Sequence, residues 1–357
     1  MTTAPMLPFN TMFKLIFSAV AMRNFAVVFA LLAFVRIAGA VPTTNLVPTP
    51  DAASVTAAQR AFARELARDH GLKSADILAV LAKAQFQQSV IDTMTRPAEA
   101  KPWKDYRPIF VTWQRILGGA TFYHDNAKLL DRVQKATGVP ASVIVSIIGV
   151  ESNYGRTPMR YRVLDALTTL AFYYPPREKY FRSELKQLFL LGAPQFPFAL
   201  DEVMGSYAGA MGWGQFMPSS IADFARDGDG DGKVDLWNSL PDICTSVANY
   251  FVAHGWQSGG PIAVRAIVAS NARKIDPAGL TPVYPLQQLA EWGYTTTEKI
   301  DPMTPATLLT LDGDDGPEVW ITFENFYVIS RYNKSPLYSM AAFQLSQAIA
   351  AATNANP

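Results

Sequence analysis

The hydrophobic pattern along the chain is predominantly that of α-helices. Between residues 52 and 94, apolar side chains such as Phe62, Leu66 and Ile77 recur at helical spacings among alanine, glutamine and charged residues. The same periodicity predicts further helices over residues 111–130, 140–152, 162–172, 180–191 and 243–254, and a closing helix over 339–351. A mainly α protein is therefore expected.

The pattern changes after Gly259 and Gly260. Residues 262–270 alternate loosely with β-branched side chains, and proline, glycine and threonine become frequent up to about Trp320. Residues 319–329 are again rich in β-branched and aromatic side chains. We expect a small β-containing insert, followed by a segment that returns to the helical part.

The N-terminus has the pattern of an export signal. Lys14 and Arg23 precede the apolar run 25–35, and the small residues ending at Ala40 are typical of a cleavage site. Met22 is an alternative start, because the signal that begins there is more compact. The protein is therefore expected to be exported to the periplasm.

An uncleaved N-terminal anchor is the alternative, and it is the one route by which membrane attachment is expected. The apolar run is short for a membrane span, and Arg36 interrupts it. Residues 41–50, with three prolines and three threonines, read as a linker that precedes the ordered protein.

Composition narrows the functional classes. The chain has 357 residues, 31 basic and 30 acidic side chains and a net charge of +1, so no overall field favours nucleic acid as a partner. Cys244 is the single cysteine, which excludes an intramolecular disulfide. The sequence contains no HExxH, GxSxG or GxxxxGK[ST] motif, which argues against metalloproteases, esterases and P-loop NTPases. A monomer is expected.

One carboxylate occupies an unusual position on a predicted helix. Ile144, Ile147, Ile148 and Glu151 follow each other at spacings of three and four, so Glu151 shares a face with isoleucines. Apolar surroundings and the helix C-terminus both raise the pKa of a carboxyl group, which suits a general acid.

The helix pattern alone leaves a second interpretation open. Glu151 would then point outward from the last helical turn and pair with Arg156 or Arg160 as a solvated ion pair.

A glycine-rich run lies around Gln215. Small residues at 209, 210, 212 and 214 allow a bound molecule to approach the backbone closely, Gln215 can donate and accept hydrogen bonds, and Trp213 offers a flat aromatic face. A tight turn with a core tryptophan is the alternative.

Residues 227–238 match the EF-hand loop. Oxygen ligands are expected from Asp227, Asp229, Asp231 and Asp235 and from the backbone carbonyl of Lys233. Asn238 stands where the loop usually has a bidentate glutamate. The sequence predicts a structural Ca²⁺ site, with Na⁺ as an alternative ion and a solvated acidic loop as the alternative without metal.

Several motifs together resemble the membrane-bound lytic murein transglycosylase B family of the lysozyme-like superfamily. The run 149–155, Gly-Val-Glu-Ser-Asn-Tyr-Gly, matches the family's catalytic helix end. Further matching segments lie at 165–170, 174–177, 180–181, 206–220, 246–250, 254–256, 325–327 and 331–333. The resemblance spans roughly residues 55–350.

The resemblance implies a lysozyme-like α+β catalytic core and a lytic transglycosylase acting on peptidoglycan glycan strands. In that family one glutamate, here Glu151, protonates the glycosidic oxygen between N-acetylmuramic acid and N-acetylglucosamine. It then deprotonates the muramoyl 6-hydroxyl, which closes a 1,6-anhydro ring with assistance from the 2-acetamido group. No cofactor for catalysis is implied.

The resemblance also assigns the surrounding residues. It implies Ser206 as a hydrogen-bond partner of Glu151, Asp242 as an additional oxygen ligand of the metal loop, and Arg177 as a contact for substrate carboxylates. An ion pair of Arg177 with Glu178 or Glu184 is the alternative, and Pro176 replaces a second arginine common in the family. The implied substrate-binding aromatic residues are Trp213, Tyr154, Tyr250, Tyr327 and Tyr332. Core packing is the alternative for Tyr250, Tyr327 and Tyr332.

The expected organisation follows from these features. It comprises a leader over 1–40, a linker over 41–50, an N-terminal helical region over 51–100, a lysozyme-like core over 101–260, a β-containing subdomain over 261–320 and a segment over 321–357 that completes the core. Two alternatives to the transglycosylase remain. They are a water-using muramidase with a second carboxylate, Asp201 or Glu202, and a non-catalytic peptidoglycan-binding protein.

Overall fold

The computed structural model describes residues 50–95, 101–192 and 196–355. The predicted leader and nearly all of the linker lie outside these residues. The helices, in chain order, are α1 Ala52–His70, α2 Ser74–Leu81, α3 Gln88–Thr95, α4 Trp103–Phe110, α5 Trp113–Asp125, α6 Ala127–Thr137, α7 Ala141–Ser152, α8 Val163–Tyr173, α9 Glu178–Leu190, α10 Pro218–Phe224, α11 Leu240–Ala253, α12 Leu286–Glu291, α13 Glu324–Tyr332 and α14 Pro336–Ala355. The strands are β1 Tyr161–Arg162, β2 Met204–Gly205, β3 Ala263–Arg265, β4 Ile267–Val268, β5 Tyr284–Pro285, β6 Tyr294–Thr295, β7 Pro305–Gly313 and β8 Gly316–Phe323. The prediction of a mainly α protein is confirmed.

Helix α7 forms the centre of the core. Its sequence is apolar on every side, and the structure surrounds it with α5, α6, α11 and α14. Ile144, Ile147 and Ile148 have no exposed surface. Burial of each such side chain stabilises the fold by about 1.5–3 kcal/mol, so the helix that contains Glu151 is firmly held.

The prediction of one continuous helix over residues 111–130 was wrong. Helix α5 ends at Asp125, α6 begins at Ala127, and Asn126 lies between them with non-helical torsion angles. The Asn126 side chain donates a 2.9 Å hydrogen bond to the carbonyl of Phe122. This local bond competes with the continuing helix and allows the chain to turn.

The N-terminal helices pack on α8. The backbone N–H of Gln85 donates to the carboxylate of Asp165, and the N–H of Gln87 donates to the hydroxyl of Thr169. Arg162 also binds Asp165 at 2.8 Å, so this nearly buried carboxylate is paired. The bonds tie the N-terminal layer to the core.

Strands β3 to β8 form the β-containing part. Four of them make an antiparallel sheet in the order β3-β8-β7-β5, and β4 pairs with β6 separately. Leu308, Ile321 and Phe323 bury the inner face of this sheet. Strand β8 leads directly into α13, so the sheet determines where the C-terminal helices return to the core. The closing helix predicted over 339–351 runs from Pro336 to Ala355.

Among the helices the structure describes, none is by itself both long and apolar enough for a membrane span. The consecutive pair α6 and α7, bent by 112°, meets that test only when the two are taken together.

Candidate active site

Glu151 lies on the last turn of α7 and lines a cavity of about 180 Å³. The loop 157–161 forms one wall of this cavity, and Ser206, Tyr207 and Gln215 form another. The small strand pair β1 and β2 places these two walls side by side, because Tyr161 pairs with Gly205. The site therefore collects residues from three separate parts of the chain.

Among the described residues, Tyr338, near the start of α14, donates a side-chain hydrogen bond to Glu151. The Tyr338 hydroxyl donates to Oε1 of Glu151 at 2.5 Å. Burial raises the pKa of Glu151 to about 7, and the bond from Tyr338 opposes that rise. The carboxyl group is thus held where it can both give and take a proton near neutral pH.

Helix α7 ends in a turn that fixes the position of Glu151. Asn153, Tyr154 and Gly155 all have positive φ angles, and the N–H of Asn153 bonds the carbonyl of Gly149. A Cβ added to Gly155 would lie 2.3 Å from the Trp213 ring. Glycine at 155 therefore allows the turn to pack directly against Trp213.

Tyr250 and Tyr332 pack against each other beside the segment around Gln215. Tyr332 donates a 2.6 Å hydrogen bond to the carbonyl of Gly214, and Tyr250 donates a 2.6 Å bond to the carbonyl of Arg331. The rings of Tyr250 and Tyr332 lie 4.6 Å apart. Burial, with the charge of Glu151 as a second cause, raises the pKa of Tyr332 well above its usual value. These tyrosines stay neutral hydrogen-bonding groups.

The segment around Gln215 makes a tight, hydrogen-bonded loop. Gln215 has a φ of 51°, and both its backbone N–H and its side-chain Nε2 donate to the carbonyl of Gly212. Trp213 is partly exposed, and its ring lies 6.4 Å from that of Phe122. The loop presents the backbone and amide of Gln215 to the cavity that contains Glu151.

Like Tyr250 and Tyr332, Ser206 and Tyr154 have hydroxyl groups that bond to the backbone. The Ser206 hydroxyl accepts from the N–H groups of Ala208 and Ala210, so the expected bond to Glu151 is not the one that this structure makes, although Ser206 lines the same cavity. The buried Tyr154 donates from its hydroxyl to the carbonyl of Arg115 at 2.7 Å.

Neither Tyr327 nor Arg177 lines the cavity that contains Glu151. Tyr327 lines a second cavity, beside the β-containing part. The guanidinium of Arg177 stacks on the rings of Tyr180 and Phe181, at 4.6 and 4.9 Å from their centres. The roles of these two residues stay predictions.

Other carboxylates near the core are engaged elsewhere. Asp201 forms an ion pair with Lys83 at 2.8 Å, and neither it nor Glu202 lines the Glu151 cavity. The buried Glu184 accepts hydrogen bonds from the N–H and hydroxyl of Ser219, at the start of α10. Among the described residues, Glu151 is the one carboxylate that lines this cavity.

The acidic loop brings three carboxylates together. Asp227, Asp229 and Asp242 each offer an oxygen atom, and these atoms lie within 4.8 Å of one another. Gly230 and Gly232 adopt φ angles of 83° and 87°, as the turns of such a loop require. This donor set of oxygens suits a hard cation.

The remaining predicted ligands lie outside that cluster. Asp235 accepts from the N–H groups of Trp237 and Asn238, and Asp231 accepts from the N–H of Lys233. Asp242, almost fully buried on α11, accepts from the N–H groups of Gly228 and Asp235, at 2.7 Å each. Asp242 thus joins both ends of the loop to α11.

The acidic loop also contacts the Gln215 segment. The N–H of Trp213 donates a 2.9 Å bond to the carbonyl of Leu236, and Gly212 packs on the same residue. These contacts connect the acidic loop to the segment that contains Gln215.

The comparison with protein families identifies the family to which this site belongs. A family model described as Transglycosylase SLT domain matches residues 54–347, most of the chain. The chain belongs to this lytic transglycosylase family. The resemblance seen in the sequence motifs is confirmed, and the transglycosylase cleaves peptidoglycan as an enzyme of the lyase type.

Individual relatives agree with the family. The transglycosylase is 39% identical to membrane-bound lytic murein transglycosylase B of Escherichia coli over 301 residues, which are 82% of each protein. Soluble lytic transglycosylase SltB1 from Pseudomonas aeruginosa is 41% identical and has a TM-score of 0.77, with 83% of this chain and 99% of that chain covered. Escherichia coli Slt35, solved in complex with calcium, is 36% identical at a TM-score of 0.77, with 88% and 100% covered. The lysozyme-like fold is confirmed by these matches.

Two residues at the site of the transglycosylase were missed by the sequence reasoning. Tyr338 lies just before the closing helix predicted over 339–351 and had no motif of its own. Burial, with the charge of Glu151 as a second cause, raises the pKa of Tyr106 to about 12. Their proximity to Glu151 depends on how α4 and α14 pack, and the local sequence contains no signal for it.

Proposed function

We propose that Glu151 performs both proton transfers of the transglycosylase reaction. The observation that carries this proposal is that Glu151 is the one carboxylate of the described residues that lines the cavity, with its pKa raised to about 7. A hydrolase of the usual kind needs a second carboxylate to activate water or to attack the sugar. Asp201, Glu202 and Glu184 have other positions or partners.

In the first step, protonated Glu151 gives its proton to the oxygen of the bond between N-acetylmuramic acid and N-acetylglucosamine. The C–O bond to the muramoyl anomeric carbon breaks, and N-acetylglucosamine leaves as an alcohol. The Tyr338 hydroxyl supports the step, because its hydrogen bond stabilises the carboxylate that forms.

In the second step, the Glu151 carboxylate removes the proton of the muramoyl 6-hydroxyl. The oxygen attacks the anomeric carbon of the same sugar and closes a 1,6-anhydro ring, which returns Glu151 to its protonated form. Attacker and electrophile belong to one molecule, so a cavity that holds the ring pucker meets most of the entropic cost. Tyrosines around Glu151 and the Gln215 loop can hold the sugar in place.

We infer further that the acidic loop holds Ca²⁺ through Asp227, Asp229 and Asp242. The oxygen cluster in this structure and the calcium complex of Slt35 support the assignment. The bound ion would supply positive charge that holds the loop together, while Asp242 joins the loop to α11 and Leu236 supports Trp213. We also propose a periplasmic location, supported by the leader sequence.

Digestion of purified peptidoglycan with the wild-type chain and with Glu151→Gln tests the mechanism. The wild type should release fragments whose muramoyl ends are lighter by one water than reducing ends, as measured by mass spectrometry. Glu151→Gln should release none while keeping the wild-type circular dichroism spectrum. Reducing ends alone, or activity in Glu151→Gln, would contradict the proposal.

A further inference from the structure

A second cavity, of about 470 Å³, lies between the β-containing part and the C-terminal helices. Its volume is within the range of small-ligand sites. Apolar side chains from both parts line it, including Leu280, Leu308 and Tyr327. The cavity is not lined by Glu151, so it is separate from the one assigned to catalysis.

Charged residues of both signs also line this second cavity. They are Arg331, which is half-buried, and the exposed Lys334 and Asp276. The Arg331 guanidinium lies 5.8 Å from the centre of the Tyr327 ring, another lining residue. In the part of the chain that the structure describes, these three charged side chains form no ion pair. Two cations and one carboxylate are thus available to a ligand.

The second cavity is directly linked to the catalytic site through the segment 330–338. Ser330, Arg331, Lys334 and Pro336 line the cavity. Tyr332 and Tyr338 of the same segment contact the Gln215 loop and Glu151, respectively. A ligand in the second cavity would therefore contact the same chain segment that reaches Glu151.

We propose that this second cavity binds the peptide stem of the substrate, through a side chain that ends in an amine beside a carboxylate. Arg331 and Lys334 hold the carboxylate, Asp276 holds the ammonium group, and the apolar wall contacts the aliphatic part of the side chain. This inference rests on the proposed function, since the peptide must extend from a muramoyl group near Glu151.

The test uses the full chain with Glu151→Gln, so that no substrate is consumed. Calorimetric titration compares two synthetic tripeptide stems, one ending in diaminopimelate and the other in lysine. Lysine lacks only the terminal carboxylate of diaminopimelate. We expect the diaminopimelate peptide to bind about tenfold more tightly, because a hydrogen bond to a charged group accounts for a factor of that size.

Variants then locate the binding. Lys334→Ala and Arg331→Gln should remove most of the preference for diaminopimelate, and Asp276→Asn should weaken binding of both peptides. Lys128→Ala is the matched control, since Lys128 is also exposed and lies outside the cavity. Binding of peptide-free glycan strands should be the same in all of these variants.

Several outcomes would overturn the proposal. They are equal affinity for the two tripeptides, no measurable binding of either at millimolar concentration, or a preference that Lys334→Ala and Arg331→Gln both leave intact. Failure of the proposed function would be visible separately, as a wild-type chain that releases no anhydro ends from peptidoglycan.

Discussion

The hydroxyl of Tyr338 donates a 2.5 Å hydrogen bond to Oε1 of Glu151, across a sequence separation of 187 residues. Burial favours the neutral form of Glu151, and this bond favours the charged form. The balance leaves the pKa at about 7, so one residue can serve as acid and then as base at neutral pH.

Replacing Tyr338 by phenylalanine should raise the pKa of Glu151 further. The variant loses the bond that stabilises the carboxylate, and burial is then unopposed. We expect the alkaline limb of the pH profile of kcat/KM to move up by about one pH unit, with a lower maximal rate. The measurement is the rate of anhydro-end release between pH 5 and 9.

The control for this prediction is Tyr294→Phe. That substitution also removes a tyrosine hydrogen bond, to the carbonyl of Arg273, but in the β-containing part. Its pH profile should match the wild type. An alkaline limb that stays in place in Tyr338→Phe would contradict the assigned role of Tyr338.

The raised pKa of Glu151 should also make folding stability depend on pH. The group has an ordinary pKa of 4.5 and a folded pKa of about 7, so between these values the native state binds more protons than the unfolded state. Stability is therefore lost as the pH rises through this window, by up to about 3 kcal/mol.

Glu151→Gln removes that dependence, because glutamine stays neutral. The variant should be more stable than the wild type at pH 8, and the difference should shrink towards pH 4.5. Urea unfolding at several pH values measures it. If the free energies of unfolding of Glu151→Gln and the wild type differed by the same amount at every pH, the carboxylate of Glu151 would not be desolvated.

Calcium should stabilise the wild-type chain through the acidic loop. A site that binds the folded state alone contributes about 2.7 kcal/mol when the free ion is a hundredfold above its Kd. We expect a chelator to lower Tm and to raise KM, since the N–H of Trp213 bonds Leu236 of the loop. Thermal unfolding and initial rates with and without the chelator measure these effects.

Asp242→Asn should abolish most of the calcium effect on Tm. Asp314→Asn is the control, because Asp314 is an exposed carboxylate in the turn between β7 and β8. A wild-type Tm that responds to neither calcium nor chelator would argue against the metal site.

Alanine at Gly155 should be strongly destabilising. The residue has a φ of 75°, and its Cβ would overlap the Trp213 ring. Gly71→Ala is a matched control, since Gly71 has a φ of 71° and open space around it. The control should cost about 1–2 kcal/mol from backbone strain alone.

Gly155→Ala should lower the free energy of unfolding by more than Gly71→Ala does. It should also raise KM, because the added Cβ moves Trp213. Urea unfolding and kinetics of the two variants give the comparison. Equal losses of stability would show that the contact with Trp213 contributes nothing.

The sequence by itself determined the features that depend on neighbouring residues. Helical periodicity identified α7 and placed Glu151 at its end, and the spacing of aspartates identified the loop at 227–238. Motif runs such as 206–220 identified the family. Local hydrogen bonds and side-chain periodicity determine such features, so a short stretch of sequence contains them.

Tertiary structure alone decided which of two interpretations holds for Glu151. The helix pattern left open a solvated ion pair with Arg156 or Arg160, and no such pair is formed among the described residues. Packing of α14 against α7 brings Tyr338 to the carboxylate and removes water from it. Desolvation depends on contacts between segments far apart in the chain, and for this reason the pKa of Glu151 could not be assigned from its neighbours.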